Sequence, residues 1–126
     1  MKYIQILISF FLISCHPIFC NWDRGYEKIE KKININKIIG TYKIKNKKIN
    51  FPNEIKLSKN GKYYISDTIN TFFNNRGKWI HFYNNEENII DLETKVVRFE
   101  TKGNNYAILF SIGDPDNCEG IIYIKE

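Results

Sequence analysis

The chain has little of what most enzymatic chemistry requires. Its 126 residues include two histidines, three cysteines and one methionine. His81 is the sole histidine beyond the first sixteen residues, so a histidine-based metal triad is excluded. There is no Gly-x-Ser-x-Gly elbow, no phosphate-binding loop and no zinc-type cysteine spacing. Three cysteines are too few to define a disulfide framework. No apolar run reaches the roughly eighteen residues of a membrane-spanning helix. Beyond residue 36, no stretch has the periodicity of a crossover helix. These absences predict a chain with no enzymatic activity, no metal and no cofactor.

Aromatic and β-branched residues are plentiful. The apolar share is 43% and the aromatic share 15%, enough for one packed core. The formal charge of +5 is unevenly spread. Residues 21–59 carry eleven Lys/Arg against four Asp/Glu, and residues 60–126 carry seven against ten. Such a basic front half could meet anionic lipid, sugar or nucleic acid, but a solvated lysine face is the plainer reading, because charge runs seldom mean more than solubility.

The amino terminus reads as a targeting segment. Lys2 supplies a positive start, and residues 4–13 form an apolar stretch broken by Gln5 and Ser9. That length suits the helical core of a signal peptide. Leu12-Ile13-Ser14-Cys15 then resembles the lipobox of bacterial lipoproteins. The resemblance implies cleavage before Cys15 and acylation of its thiol and amine, and two or three chains anchor firmly where one binds marginally. His16 stands where Asp commonly marks inner-membrane retention, which points to the outer membrane of the cell envelope. The alternative is plain secretion after a cut near Cys20-Asn21, where Ile18 and Cys20 meet the small-residue rule poorly. With Cys15 lipidated, Cys20 and Cys118 remain in an oxidising compartment. They either pair, closing a loop worth about 4 kcal/mol in entropy, or stay as two thiols.

Residues 21–36 are polar and Lys/Glu-rich, with Ile29, Ile33 and Ile35 too sparse for an amphipathic helix. They read as a tether with a helical turn around residues 26–32. The expected organisation is a signal peptide over 1–14, a lipidated tether over 15–36 and a β domain over 37–126.

From Lys37 onward, short Ile/Tyr/Phe/Val runs alternate with turn residues. The runs cover residues 38–44, 54–58, 62–67, 78–83, 89–92, 95–101, 106–112 and 121–125. Asn60-Gly61 is a strong hairpin signal because both residues accept positive φ. Short connections predict an antiparallel meander, and about eight strands of this length curl into an up-and-down barrel or half-barrel. The fold class is therefore all-β. Alternation turns Ile55, Leu57, Tyr63 and Ile65 inward. Tyr106, Ile108, Phe110 and Ile112 share one face of their strand, and Ala107, Leu109 and Ser111 the other.

Three marks recur in order: Gly40-Thr41-Tyr42, then Leu57-x-x-Asn60-Gly61-x-Tyr63, then Gly77-Lys78-Trp79, followed by Ile90-x-Leu92. This order is similar to that of small lipocalin-like domains of bacterial envelope lipoproteins. The resemblance implies a barrel, with Gly40 and Tyr42 opening the first strand and closing the floor, and in some members a small apolar ligand. In a hollow barrel Tyr63, Ile65, Trp79 and Phe110 would line the ligand. The bulk of the inward residues, Tyr123 included, argues instead for a filled core.

Two remaining clusters have plain explanations. Asp114, Asp116 and Glu119 imitate the start of a calcium loop, but Glu119 stands where the required glycine should be. Turn chemistry around Pro115 explains the same residues. His81 shares a strand face with Trp79 and Tyr83 and reads as structural; nothing in the sequence joins it to Cys118. The functional expectation is a non-enzymatic lipid-anchored binding module for a small apolar ligand or an envelope protein, with membrane lipid met through the anchor. An envelope address leaves no place for nucleic acid. The alternative is an inhibitor or immunity-type protein that neutralises an envelope toxin or hydrolase.

Overall fold

Because a strand turns successive side chains to opposite faces, short alternating runs decide this architecture. A computed structural model describes residues 21–45, 51–66, 74–93, 95–112 and 118–126. The expected signal peptide, Cys15, Cys20, Asp114 and Asp116 lie outside the described residues. In chain order the elements are β1 (Glu27–Lys28), α1 (Ile35–Ile38), β2 (Gly40–Ile44), β3 (Glu54–Leu57) and β4 (Lys62–Ile65). Then follow β5 (Arg76–Lys78), β6 (Ile80–Asn84), β7 (Glu87–Asp91), β8 (Val96–Lys102), β9 (Asn105–Ser111) and β10 (Gly120–Lys125).

All the pairings are antiparallel. The path β5-β4-β3-β2-β10-β9-β8-β7-β6 makes a nearly closed nine-stranded barrel, with β1 added to β8. Pairing of β2 with β10 joins the first and last strands of the meander. The expected strand 78–83 accounts for the difference from eight. The segment from Arg76 to Asn84 alternates without a break, but its first part pairs with β4 and its second with β7. Trp79 lies at the exchange, with its ring sunk in the core. Its backbone N–H donates to the Gly61 carbonyl (2.9 Å) and its indole N–H to the Ser58 carbonyl (3.0 Å). One bent strand thus supplies both edges of the sheet, and its neighbours are held by side chains where the ladder stops.

The β3–β4 hairpin forms at Asn60-Gly61 by different turn chemistry from that expected. Gly61 alone of the two takes a positive φ, +78°, and donates its N–H to Ser58 (3.1 Å). Asn60 instead uses its Oδ1 to accept the Lys62 N–H at 3.2 Å. The turn with two residues at positive φ is Asn85-Glu86 between β6 and β7, at 49° and 61°. Asparagine tolerates that region, and right-handed strand twist favours such turns.

Ile55, Leu57, Tyr63 and Ile65 face inward as alternation requires, and join Tyr42, Phe99, Ile108 and Tyr123 in one core cluster. Two buried hydroxyls there find acceptors: Tyr42 donates to the Ile38 carbonyl, and Tyr123 to the Pro52 carbonyl at 2.7 Å. Burial pushes both phenols well above the usual tyrosine range, so they persist as neutral donors.

The described part of the expected tether is folded against the barrel. Its helical turn sits at α1 rather than around residues 26–32, and Asn34 caps it by accepting the Asn36 N–H at 2.9 Å. Ile33 and Ile38 are buried in the main core. Trp22 and Tyr26 pack over Ala107, Leu109 and Ile122, forming a second, smaller apolar cluster on the outer face of the sheet. The Trp22 ring lies flat on Gly120, where an added Cβ would approach it to 2.3 Å. β9 is therefore buried on both faces.

Candidate functional site

The four residues predicted to line a ligand, Tyr63, Ile65, Trp79 and Phe110, lie together in the core cluster, each at most 5% exposed. They come from β4, the β5–β6 bend and β9. Aromatic rings occupy the same interior: Phe110 stacks on Tyr123 with centroids 6.1 Å apart and meets Phe51 at 6.3 Å, while Phe99 stacks on Tyr106 at 5.3 Å. Rings this large consume much of the volume inside a small barrel. The Tyr63 hydroxyl is buried with no hydrogen-bond partner among the described residues. Burial, and then the nearby Glu93 carboxylate, raises this phenol above its usual range.

A concavity opens at the surface. A cleft of about 570 Å³ opens over β4 and β5, with Lys62, Tyr64, Arg76, Lys78 and Glu93 among its walls. Alternation sends Lys62, Tyr64, Arg76 and Lys78 outward, while the inward-facing Tyr63 and Gly77 also line the cleft, so the expected ligand residue Tyr63 meets it as well. The cross-strand register sets Lys62 opposite Lys78 and Tyr64 opposite Arg76, with Lys56 of β3 on the other side of Tyr64. The Arg76 guanidinium stands 5.6 Å from the centre of the Tyr64 ring. Glu93 reaches in from the β7–β8 turn and accepts the Lys78 backbone N–H at 2.7 Å.

A second groove of about 500 Å³ lies between His81 and residues 32–35. Here His81 is structural. The Asn88 amide nitrogen donates to the Ile29 carbonyl (2.8 Å) and the Lys31 carbonyl (2.9 Å). Its oxygen accepts the Ile33 N–H (3.0 Å) and His81 Nε2 (2.9 Å). The two carbonyls fix the amide orientation, so Nε2 is the protonated ring nitrogen. Tyr83 adds a hydrogen bond to the Glu30 carbonyl at 2.6 Å. Three of the four side-chain hydrogen bonds of buried Asn88 tie residues 29–33 to β7, and the fourth holds His81 of β6.

Cys118 is disulfide-bonded, so it is not poised as a thiol nucleophile beside His81. The other two cysteines of the chain, and with them the expected Cys20 pairing, lie outside the described residues.

Asn88 and the cationic wall were not legible as features of the sequence. Asn88 stood within a run of turn-forming residues. The lysines of the wall followed strand alternation, but only register shows that Lys56, Lys62, Arg76 and Lys78 share one face. Comparison with protein-family models, curated proteins and solved structures finds no match to this chain.

Proposed function

We propose that this chain is a lipid-anchored, non-enzymatic binding module of the bacterial cell envelope that engages a protein partner through its outer surface. The anchor is the acylated Cys15, and the outer membrane is the expected location. The observation that carries the choice of surface over interior is the buried core cluster. Ile65, Trp79 and Phe110 pack against other side chains, whereas the cleft over β4 and β5, which Tyr63 also lines, opens to the surface. Protein recognition by exposed aromatic and arginine side chains is common. The disulfide at Cys118 supports pairing with Cys20, since Cys15 is assigned to the lipid; intact and reduced mass spectra of the mature chain test it, and two free thiols would refute it.

Native mass spectrometry of the protein isolated from its host tests the central reading. A bound protein is expected; a stoichiometric small apolar molecule without a protein would return the function to the interior. Replacing Cys15 with Ser should abolish acylation and membrane association, and a variant still acylated and membrane-bound would remove the anchor from the proposal.

A further inference from the structure

We propose that the outer face of β3, β4 and β5 is the docking site for an acidic segment of the partner protein, a proposal that rests on the partner reading above. Three cations elsewhere on the barrel are held by carboxylates. Lys28 pairs with Glu87 at 3.1 Å, Lys43 with Glu126 at 2.6 Å, and Arg98 with Asp23 at 3.0 Å and Glu100 at 3.4 Å. Lys56, Lys62, Arg76 and Lys78 form no ion pair with any described residue. Two of them, Lys62 and Lys78, are direct cross-strand neighbours, an arrangement that opposes folding by like-charge repulsion. The one carboxylate in the cleft wall, Glu93, accepts the Lys78 backbone N–H and forms an ion pair with neither lysine; a repulsive pair left in this state is the mark of a surface kept for something other than stability.

The shape and chemistry specify the occupant. Tyr64, 47% exposed, is flanked in register by Lys56 and Arg76. The cleft of about 570 Å³ is concave, so a flat bilayer would leave its inner charges unmet, whereas a protruding chain can enter. Arg76 offers a planar fork that suits a carboxylate, and the lysines supply point charges around it. The Tyr64 ring gives the aliphatic stems of Glu or Asp side chains an apolar floor. A carboxylate-rich peptide segment satisfies all three.

The test uses the full chain and two probes: a fluorescent poly-glutamate peptide and vesicles containing phosphatidylglycerol. The peptide should bind, and should weaken as salt rises past about 0.1 M, where screening acts within about 10 Å. The triple variant Lys62→Glu, Arg76→Glu, Lys78→Glu should lose at least about tenfold in affinity, since reversing charges at an interface turns attraction into repulsion. The control Lys31→Glu, Lys32→Glu, Lys37→Glu, with the same charge change, should lose less than about twofold. A second variant, Tyr64→Ala, leaves the charge intact and should weaken binding severalfold. Equal losses in the two triple variants, or no binding of the peptide, would overturn the site; because the acyl anchor itself binds vesicles, only vesicle binding that the first triple variant weakens would assign the face to anionic lipid instead. A partner found by native mass spectrometry supports the site if the first triple variant loses it. If that variant keeps it, the site falls and the partner reading stands. Absence of any partner removes that reading alone, because the peptide result bears on the face directly.

Discussion

The two sides of this barrel treat their outer faces in opposite ways. Over β8, β9 and β10 the outer face carries Ala107, Leu109 and Ile122, and the amino-terminal segment lies across them with Trp22 and Tyr26. Arg98 there holds Asp23 and Glu100, and its guanidinium also lies 5.2 Å from the Trp22 ring, while Lys102 lies over the Tyr26 ring. Over β3, β4 and β5 the outer face carries lysine, arginine and Tyr64, with no described segment of chain laid across it. The first arrangement serves folding and the second leaves a surface available. The inner faces of both sides belong to one core, so the difference lies wholly in the outward half of each strand.

The sharpest way to break this contrast is at the clamp that holds the covering segment. Asn88→Ala should cost about 3 kcal/mol, because it strands two carbonyls and an N–H that it now satisfies in a buried place. Chemical denaturation would measure the loss, and proteolysis should cut first within residues 21–33. Next in size, Trp22→Ala removes the ring seated on Gly120 and should cost about 2 kcal/mol, a large-to-small change at a partly buried site. Hydrogen exchange of the β9 and β10 amides should rise with it.

Glu100 gives a subtler test. It lies buried on β8, and desolvation is the main cause that holds its carboxyl above the usual carboxylate range, opposed by Arg98. The folded chain therefore binds this proton more tightly than the unfolded chain does. Its favourable contribution is complete below the unfolded carboxylate pKa and is lost as pH rises through the raised folded value. Glu100→Gln should flatten that slope, so the gap between variant and parent stability, followed by denaturation across about pH 4 to 8, should move in favour of the variant as pH rises. The smallest effect is expected on the uncovered side. Lys62→Thr should change stability by less than about 0.5 kcal/mol, and in the stabilising direction, because it relieves repulsion with Lys78 on an exposed strand. A loss above that size would mean that Lys62 has a structural role and would weaken the contrast between the two sides.

Much of the barrel was legible in its residues. The eight expected runs correspond to β2–β10 once β5 and β6 are read as one bent strand, and the inward assignment of Ile55, Leu57, Tyr63 and Ile65 holds. These features follow from local rules: strand alternation, turn residues, and short links that make neighbours pair. The bend at Trp79 was not legible, because the sequence does not say when a strand changes partners. Nor was the folding of residues 21–36. Their isoleucines are sparse by helical or strand count, but burial of Ile33 and Ile38 depends on a surface made by distant strands.

The sequence by itself determined the all-β class, the order of strands and which side chains point inward, because each depends on neighbours a few residues apart. Tertiary structure alone decided that Asn88 grips a segment more than fifty residues away, and that Lys56, Lys62, Arg76 and Lys78 form one face. Register and barrel closure set those meetings, and both arise from the balance of packing across the whole sheet, which no local pattern encodes.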